Sequence, residues 1–411
     1  MTDLWTKIPQ SGQHYALKTE LDPNEAQREF FELCAGAARY VWNWGLGRKQ
    51  GVRQWNLLPT VRMKFPSAMD LHKELVRLKQ VEGHGGMAWL YSVPKSVAQE
   101  SLRDLDRAFT NLFAHGYGWP KFKSKRRAKK SFRLTGDRVT VADNAIRVPL
   151  IGWVRLKERG YLLPEKAVHI VSVTLSEWGG KWFVSVSVHD ASARPALVLE
   201  HAPVIGIDRG LKTLAVLSDG GTIESPHALR ANESKLKRLQ RAVSRKQRGS
   251  SNRQKAVRKL RRHHLRITNV RKDAMHKATT KLAKAKSVYV VEDLSVQAMM
   301  GNHHLAQSIA DASWSELVRQ LEYKATWYGS RVIRADRVFP STKRCSGCGT
   351  VKGTVPFSDR TFRCDACGMV LDRDLNASRN LSQWPTVRGT RKTPAKATVS
   401  VAYETGIVVD G

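Results

Sequence analysis

The chain has 411 residues, room for two or three structural units with a sizeable core. It carries 70 Lys and Arg against 36 Asp and Glu, a formal charge of +34 with pI near 10.3, so a polyanionic partner is expected. Nucleic acid meets that demand; an anionic membrane meets it poorly, because the cations are spread over several segments rather than gathered on one amphipathic helix. The opening MTDLWTKIPQSGQHY has no cationic, apolar signal pattern, and no run of about 18 apolar residues occurs, so no membrane span is expected.

In chain order, HYALKTEL (14–21) reads as a short strand. A helix follows, with Asp22 as its expected N-cap, Pro23 at the first helical position and Glu25 completing a capping-box spacing. Phe30, Cys34, Ala37, Val41 and Trp44 recur at helical spacing and read as core. Residues 93–113 form a second helix with an apolar stripe of Val97, Leu102, Leu105, Phe109, Leu112 and Phe113. The segment 23–115 is therefore a mostly helical unit. Next, GYGWPKFKSKRRAKKSFRL (116–134) packs Lys121, Lys123, Lys125, Arg126 and Arg127 beside Trp119 and Phe122. Cations interleaved with aromatics suit a phosphate backbone and its bases; the bland alternative is a solvated loop.

Alternating residues on both sides of Gly179-Gly180 (171–188) predict a hairpin, and with RVTVADNAIRV before it a small β-barrel. Residues 191–203 read as a linker. VIGID is a buried strand, TLAVLSDGGTIES a hairpin turning at Asp219-Gly220-Gly221, and 229–286 a long helical stretch rich in Lys and Arg. VYVVED (288–293) is another buried strand. Residues 313–329 form a helix with an expected Ser313/Glu316 capping box, RVIRADRVF a strand, and DLNASRNL a last helix. The tail from Trp384 onward lacks periodicity and is expected to be mobile.

Five cysteines are too few for a disulfide framework, and a reducing cytoplasm is the expected compartment. Cys34 reads as a packed thiol. Cys345-x-x-Cys348 and Cys364-x-x-Cys367 are separated by fifteen residues, each pair followed by Gly (Gly349, Gly368) that permits a tight knuckle. Four thiolates complete a tetrahedral Zn²⁺ and leave no position for water, so the site is structural; iron is the minor alternative.

Three carboxylates stand out by location. Asp208 ends the apolar strand VIGID, Glu292 ends VYVVE, and Asp374 opens the last helix. A carboxylate in or just after a buried strand is unfavourable unless paired or metal-bound. Two strand acids and one helix acid in this order resemble an RNase H-like nuclease core, where clustered acids hold two Mg²⁺ ions astride a phosphodiester. Asp372 and Asp293 are neighbouring alternatives; Asp293 faces away from Glu292 if the strand continues. The zinc knuckle would then be an insertion that fixes the loop delivering Asp374.

The motifs GIDRGLKTLAVLSDG, VVEDLSV, FPSTKRCSGCG, CDACG and DRDLNASRNL resemble, in order, the nuclease motifs of TnpB (OrfB-type) proteins of insertion sequences. LDPNEAQREFFELCAGAARYVWN, GWPKFKSK and SWSELVRQLEYKATWYG extend the resemblance to about residue 384. The resemblance implies an RNA-guided DNA endonuclease related to type V CRISPR effectors. Such a protein takes a transposon-derived guide RNA, reads a short motif beside double-stranded target DNA, and cuts both strands at one RuvC-like site. It also implies an α/β multidomain layout. A wedge β-barrel (1–22 and 116–200) is interrupted by a helical recognition unit (23–115). A RuvC-like nuclease (201–344 and 372–384) carries a zinc ribbon (345–371), and a tail follows (385–411). Carried over by motif, Asp208, Glu292 and Asp374 are the catalytic Mg²⁺ ligands, and Asn376 lies beside them. Rival readings are a guide-free transposase, a non-enzymatic guided binder, a compact CRISPR effector and a plain zinc-ribbon nucleic-acid binder.

Overall fold

The computed structural model describes residues 12–81, 86–162, 168–192, 196, 198–199, 201–303, 306–356 and 359–389. The chain divides into two compact units: Met1–Pro195 with Leu229–Val270, and Ala196–Ala228 with Arg271–Gly411. Among the described residues no helix is long and apolar enough to cross a membrane.

The first unit opens with β1 (Gln13–Asp22) and α1 (Glu25–Trp55). The cap of α1 is Asn24 rather than Asp22. The Asn24 side chain accepts from the Gln27 amide at 2.9 Å, and the Gln27 side chain accepts from the Asn24 amide at 3.1 Å. Asp22 is still in the strand, 3.0 Å from the Lys157 ammonium, so it is unavailable as a cap. Helices α2 (Ala68–Gln80) and α3 (Lys95–His115) follow. α2 was not foreseen, although Ser67 and Asp70 form a full capping box at its start. Phe113 is exposed rather than part of the α3 core stripe.

Strands β2 (Ser131–Thr135), β3 (Thr140–Val141), β4 (Ala145–Val148), β5 (Gly152–Leu156), β6 (Val168–Trp178) and β7 (Lys181–Asp190) join β1 in an antiparallel sheet of order β2-β6-β7-β1-β5-β4-β3. β6 and β7 form the expected hairpin, with Gly179 and Gly180 at φ +64° and +82°, a two-residue turn open to glycine. Alternation buries Val184, Val186 and Val188, and Phe31 of α1 packs against Trp182 and Phe132 at 5.1 and 5.9 Å between ring centres. The basic stretch 229–286 is two helices, α4 (Ala228–Ser244) and α5 (Ser251–Lys284), the latter running from the first unit into the second.

The second unit is built on a five-stranded sheet of order β10-β9-β8-β11-β12. β8 (Val204–Asp208), β11 (Val288–Glu292) and β12 (Arg331–Ala335) are parallel; β9 (Thr213–Leu217) and β10 (Thr222–Glu224) are antiparallel. Tyr289, Val290 and Val291 are all fully buried, as a strand covered on both faces requires. Tyr289, Val291 and Ile207 pack with Trp314, Leu317 and Leu321 of α8 (Trp314–Tyr328). Val290 packs with Leu381 and Trp384 of α9 (Arg373–Gly389). Two short helices, α6 (Val296–Met299) and α7 (Ala306–Ala312), lead to α8. Ser313 sits at the start of α8 in the left-handed region (φ +52°) and its hydroxyl donates back to the Ala310 carbonyl at 3.1 Å rather than capping the helix, while Glu316 is taken by Arg319 and Gln320 at 2.7–2.8 Å. A two-stranded hairpin, Thr361–Arg363 with Val370–Asp372, was not foreseen. α9 continues to Gly389 with Pro385 inside it, so residues 384–389, expected to lie in a mobile tail, are helical; residues 390–411 lie outside the described residues. Buried Leu381 and Trp384 anchor the turn ahead of the proline.

Candidate active site

β8 and β11 run side by side with Ile207 opposite Val291, so the next residues, Asp208 and Glu292, end neighbouring parallel strands. Their side chains share a face. Gly206 and Val290 both meet α9, and the acids lie two residues further along each strand. Gly206 makes the close approach possible: a Cβ there would lie 1.8 Å from the Ser378 carbonyl oxygen and 2.6 Å from the Ser382 amide. α9 thus lies directly on β8, with Asp374 in its first turn.

Asp208 keeps some exposed surface as a residue, yet its carboxyl group is enclosed. That desolvation, then the negative charges of Glu292 and Asp374, raise its pKa well above the ordinary carboxylate value, against the opposing charges of Arg373 and Arg209. An acid on the neighbouring strand and one on α9 therefore act electrostatically on Asp208. Asp374 is flanked by Arg373 at 3.4 Å and Arg360 at 3.6 Å. The two neighbouring acids have other partners. Asp372 caps α9, accepting from the Asp374 and Leu375 amides at 2.9 and 3.0 Å. Asp293 pairs with Arg337 at 2.7 Å and Arg334 at 3.8 Å.

Several contacts around the acids went unread in the sequence. The Arg209 guanidinium donates to the Glu292 carbonyl at 2.5 Å. The Ser341 hydroxyl donates to Glu292 Oε1 at 2.5 Å. Asn376, fully buried, donates to the Arg344 carbonyl at 2.8 Å and accepts from the Ser346 amide at 2.9 Å. Asn380 donates to the Ser341 carbonyl at 2.8 Å, and Gln383 to the Ser346 carbonyl at 2.9 Å. Residues 376, 380 and 383 repeat at helical spacing along one face of α9. That amide spacing in NASRNLSQ was the available signal.

The four cysteines converge. Their sulfurs all lie within 4.8 Å of one another, with Cys345–Cys367 at 3.7 Å and Cys348–Cys364 at 3.5 Å. A tetrahedron with Zn–S bonds of about 2.3 Å has edges of about 3.8 Å, so the donor set fits zinc. Gly349 and Gly368, at φ +82° and +72°, turn the two knuckles. The three carboxylates do not form so tight a group among the described residues; as hard oxygen donors they fit Mg²⁺.

In the first unit, Lys121, Lys123, Lys125, Arg126 and Arg127 are exposed together. Asn43 holds the loop, accepting from the Lys123 amide at 2.8 Å and donating to its carbonyl at 2.9 Å. Lys123 is exposed as a residue, but its ammonium is enclosed 3.6 Å from the Trp42 ring centre, and desolvation there pushes its pKa down to about 8. Trp119 is not free for stacking: it packs on Phe109 at 5.1 Å with Arg53 over its ring at 4.3 Å. Phe122 is exposed.

Comparison with known proteins gives a consistent assignment. Residues 184–303 match the family described as probable transposase, 314–381 the Cas12f1-like TNB domain, and 13–55 a helix-turn-helix domain. The last match folds here as strand β1 and the single helix α1. A putative RNA-guided DNA endonuclease of Streptomyces pristinaespiralis is 36% identical over 372 residues, covering 89% of this chain and 88% of its own. The putative RNA-guided DNA endonuclease InsQ of Escherichia coli K12 is 33% identical over 383 residues, covering 89% and 91%. Among solved structures, a Cas12f1–sgRNA–target DNA complex overlaps 90% of this chain and 99% of its own at 13% identity and TM-score 0.49. The chain belongs to the TnpB (OrfB-type) family.

Proposed function

We propose that this protein is an RNA-guided DNA endonuclease that cuts double-stranded DNA beside a short target-adjacent motif, using a guide RNA from its own transposon. The observation that carries the chemistry is the meeting of Asp208 and Glu292 on adjacent strand ends beneath Asp374. The sheet order and its helical cover support a RuvC-like, RNase H-related core, which we assign to 201–344 and 372–384, although Leu229–Val270 belongs to the first compact unit. The remaining assignments are a wedge barrel (1–22 and 116–200), a recognition unit (23–115) and a zinc ribbon (345–371).

Asp208, Glu292 and Asp374 would hold Mg²⁺. The chemistry that two such ions supply when bound is activation of the attacking water and neutralisation of the leaving oxygen. The protein's own part is to gather three mutually repelling carboxylates and hold them through Arg209, Ser341 and α9, so that a polyvalent cation relieves the repulsion. Structural Zn²⁺ on Cys345, Cys348, Cys364 and Cys367 would fix the segment between β12 and α9. Lys121, Lys123, Lys125, Arg126 and Arg127 would grip phosphates, while base pairing with the guide reads sequence. Five free cysteines are compatible with action in a reducing cytoplasm, at the nucleoid.

The test begins by sequencing RNA that co-purifies from the native host. A discrete species with a constant scaffold and variable 3′ segment, programming Mg²⁺-dependent cleavage of matching DNA, is the expected result. Random RNA only, with strand transfer on transposon-end DNA, would replace this reading with a guide-free transposase.

A further inference from the structure

Glu292 is held from two directions. Arg209, adjacent in sequence to Asp208, fixes its main-chain carbonyl at 2.5 Å. Ser341, only 3% exposed, fixes its carboxylate through the hydroxyl, also at 2.5 Å. Ser341 is in turn tied to the third acid's helix: its carbonyl accepts from Asn380 of α9 at 2.8 Å, and both residues are buried. One short segment therefore links Glu292 to α9, whose first turn holds Asp374. The same segment continues into Cys345 through Arg344, whose carbonyl accepts from Asn376 and Asn380.

A free carboxylate can rotate, and anchoring one oxygen limits the directions in which the other can face a cation. A buried hydroxyl donating to Oε1 would fix the plane of the carboxylate and leave Oε2 available to a cation. Threonine would preserve the donor, whereas alanine would leave Glu292 unanchored on that side without touching the Asn380 bond, which uses the Ser341 main chain.

We infer that Ser341 is a positioning residue that aims the Glu292 carboxylate at the divalent cation, and that Asn380 registers it to the Asp374 helix. This rests on Asp208, Glu292 and Asp374 being the metal-binding trio. The probe is Mn²⁺, titrated by electron paramagnetic resonance into the zinc-loaded full chain. Asp208→Ala supplies the background, and thermal unfolding checks that each variant folds.

Ser341→Ala should weaken Mn²⁺ binding about tenfold or more, the usual effect of losing a group that orients a metal ligand. In guided cleavage it should raise the Mg²⁺ concentration for half-maximal rate, with much of the rate recovered at saturating Mg²⁺. Ser341→Thr should restore both. Unchanged Mn²⁺ affinity in Ser341→Ala, with wild-type protein binding above the Asp208→Ala background, overturns the inference alone. Wild-type binding equal to that background overturns the trio as well.

Discussion

Gly206→Ala tests how the three acids come together. The added methyl would lie 1.8 Å from the Ser378 carbonyl oxygen, 2.6 Å from the Ser382 amide and 2.9 Å from Leu381 Cβ. Ordinary contact begins near 3.4 Å, so α9 would have to retreat by about 1.6 Å. Two of the three obstacles are backbone, which cannot rotate away as a side chain would. Overpacking of this kind costs about 1–3 kcal/mol, and more where backbone must shift. The retreat would also move Asp374 relative to Asp208 and Glu292, and a misplacement of about 1 Å can lower a rate about 100-fold. Thermal unfolding should therefore fall by several degrees, and guided cleavage by about 100-fold at a temperature where the variant is folded. Guide RNA affinity should hold, because phosphate contacts elsewhere carry it. A variant that melts and cuts like wild type would refute the close β8–α9 packing as the device that delivers Asp374.

Asp208→Ala should reduce cleavage to background with nucleic-acid affinity unchanged, measured by cleavage and by filter binding on the same preparations. Asp208 also sets a pH dependence. Its raised pKa means the native state keeps a proton that the unfolded chain has lost, so this group subtracts stability as pH rises from the ordinary carboxylate range through its raised value. Asp208→Asn should accordingly raise the melting temperature of Mg²⁺-free protein near neutral pH, the gain shrinking as pH falls toward that range. A gain independent of pH would contradict the sign. Cys364→Ser should release zinc and lower the melting temperature; full metal content by elemental analysis with unchanged melting would remove the four-cysteine site. Asn43→Ala deletes both bonds that hold the Lys123 backbone, so it should cost about 1–3 kcal/mol and weaken guide RNA binding, read by denaturant unfolding and a binding titration.

Much of the site was written in the chain itself. The cysteine spacings, their following glycines and the acids at the ends of VIGID and VYVVE are local features, and local backbone chemistry decides them. The Gly179-Gly180 hairpin and the buried strand at 288 were legible for the same reason, since a period of two and a glycine pair leave few alternatives. Caps were less legible. Asp22 and Asn24 are both good N-caps, and only the pairing of β1 through Asp22 with β5 decides that the helix starts after Asn24. Ser313 and Glu316 have capping-box spacing, but Arg319 and Gln320 take the glutamate instead. Trp119 looked available beside its lysines until Phe109 and Arg53 claimed it. The deeper part of the site, Arg209 and Ser341 on Glu292 with Asn380 behind, joins residues 83, 49 and 39 positions apart. Sequence spacing carries no information about such contacts. They exist because two parallel strands share a register and a glycine lets one helix lie against them, and both conditions are met only when the chain is folded.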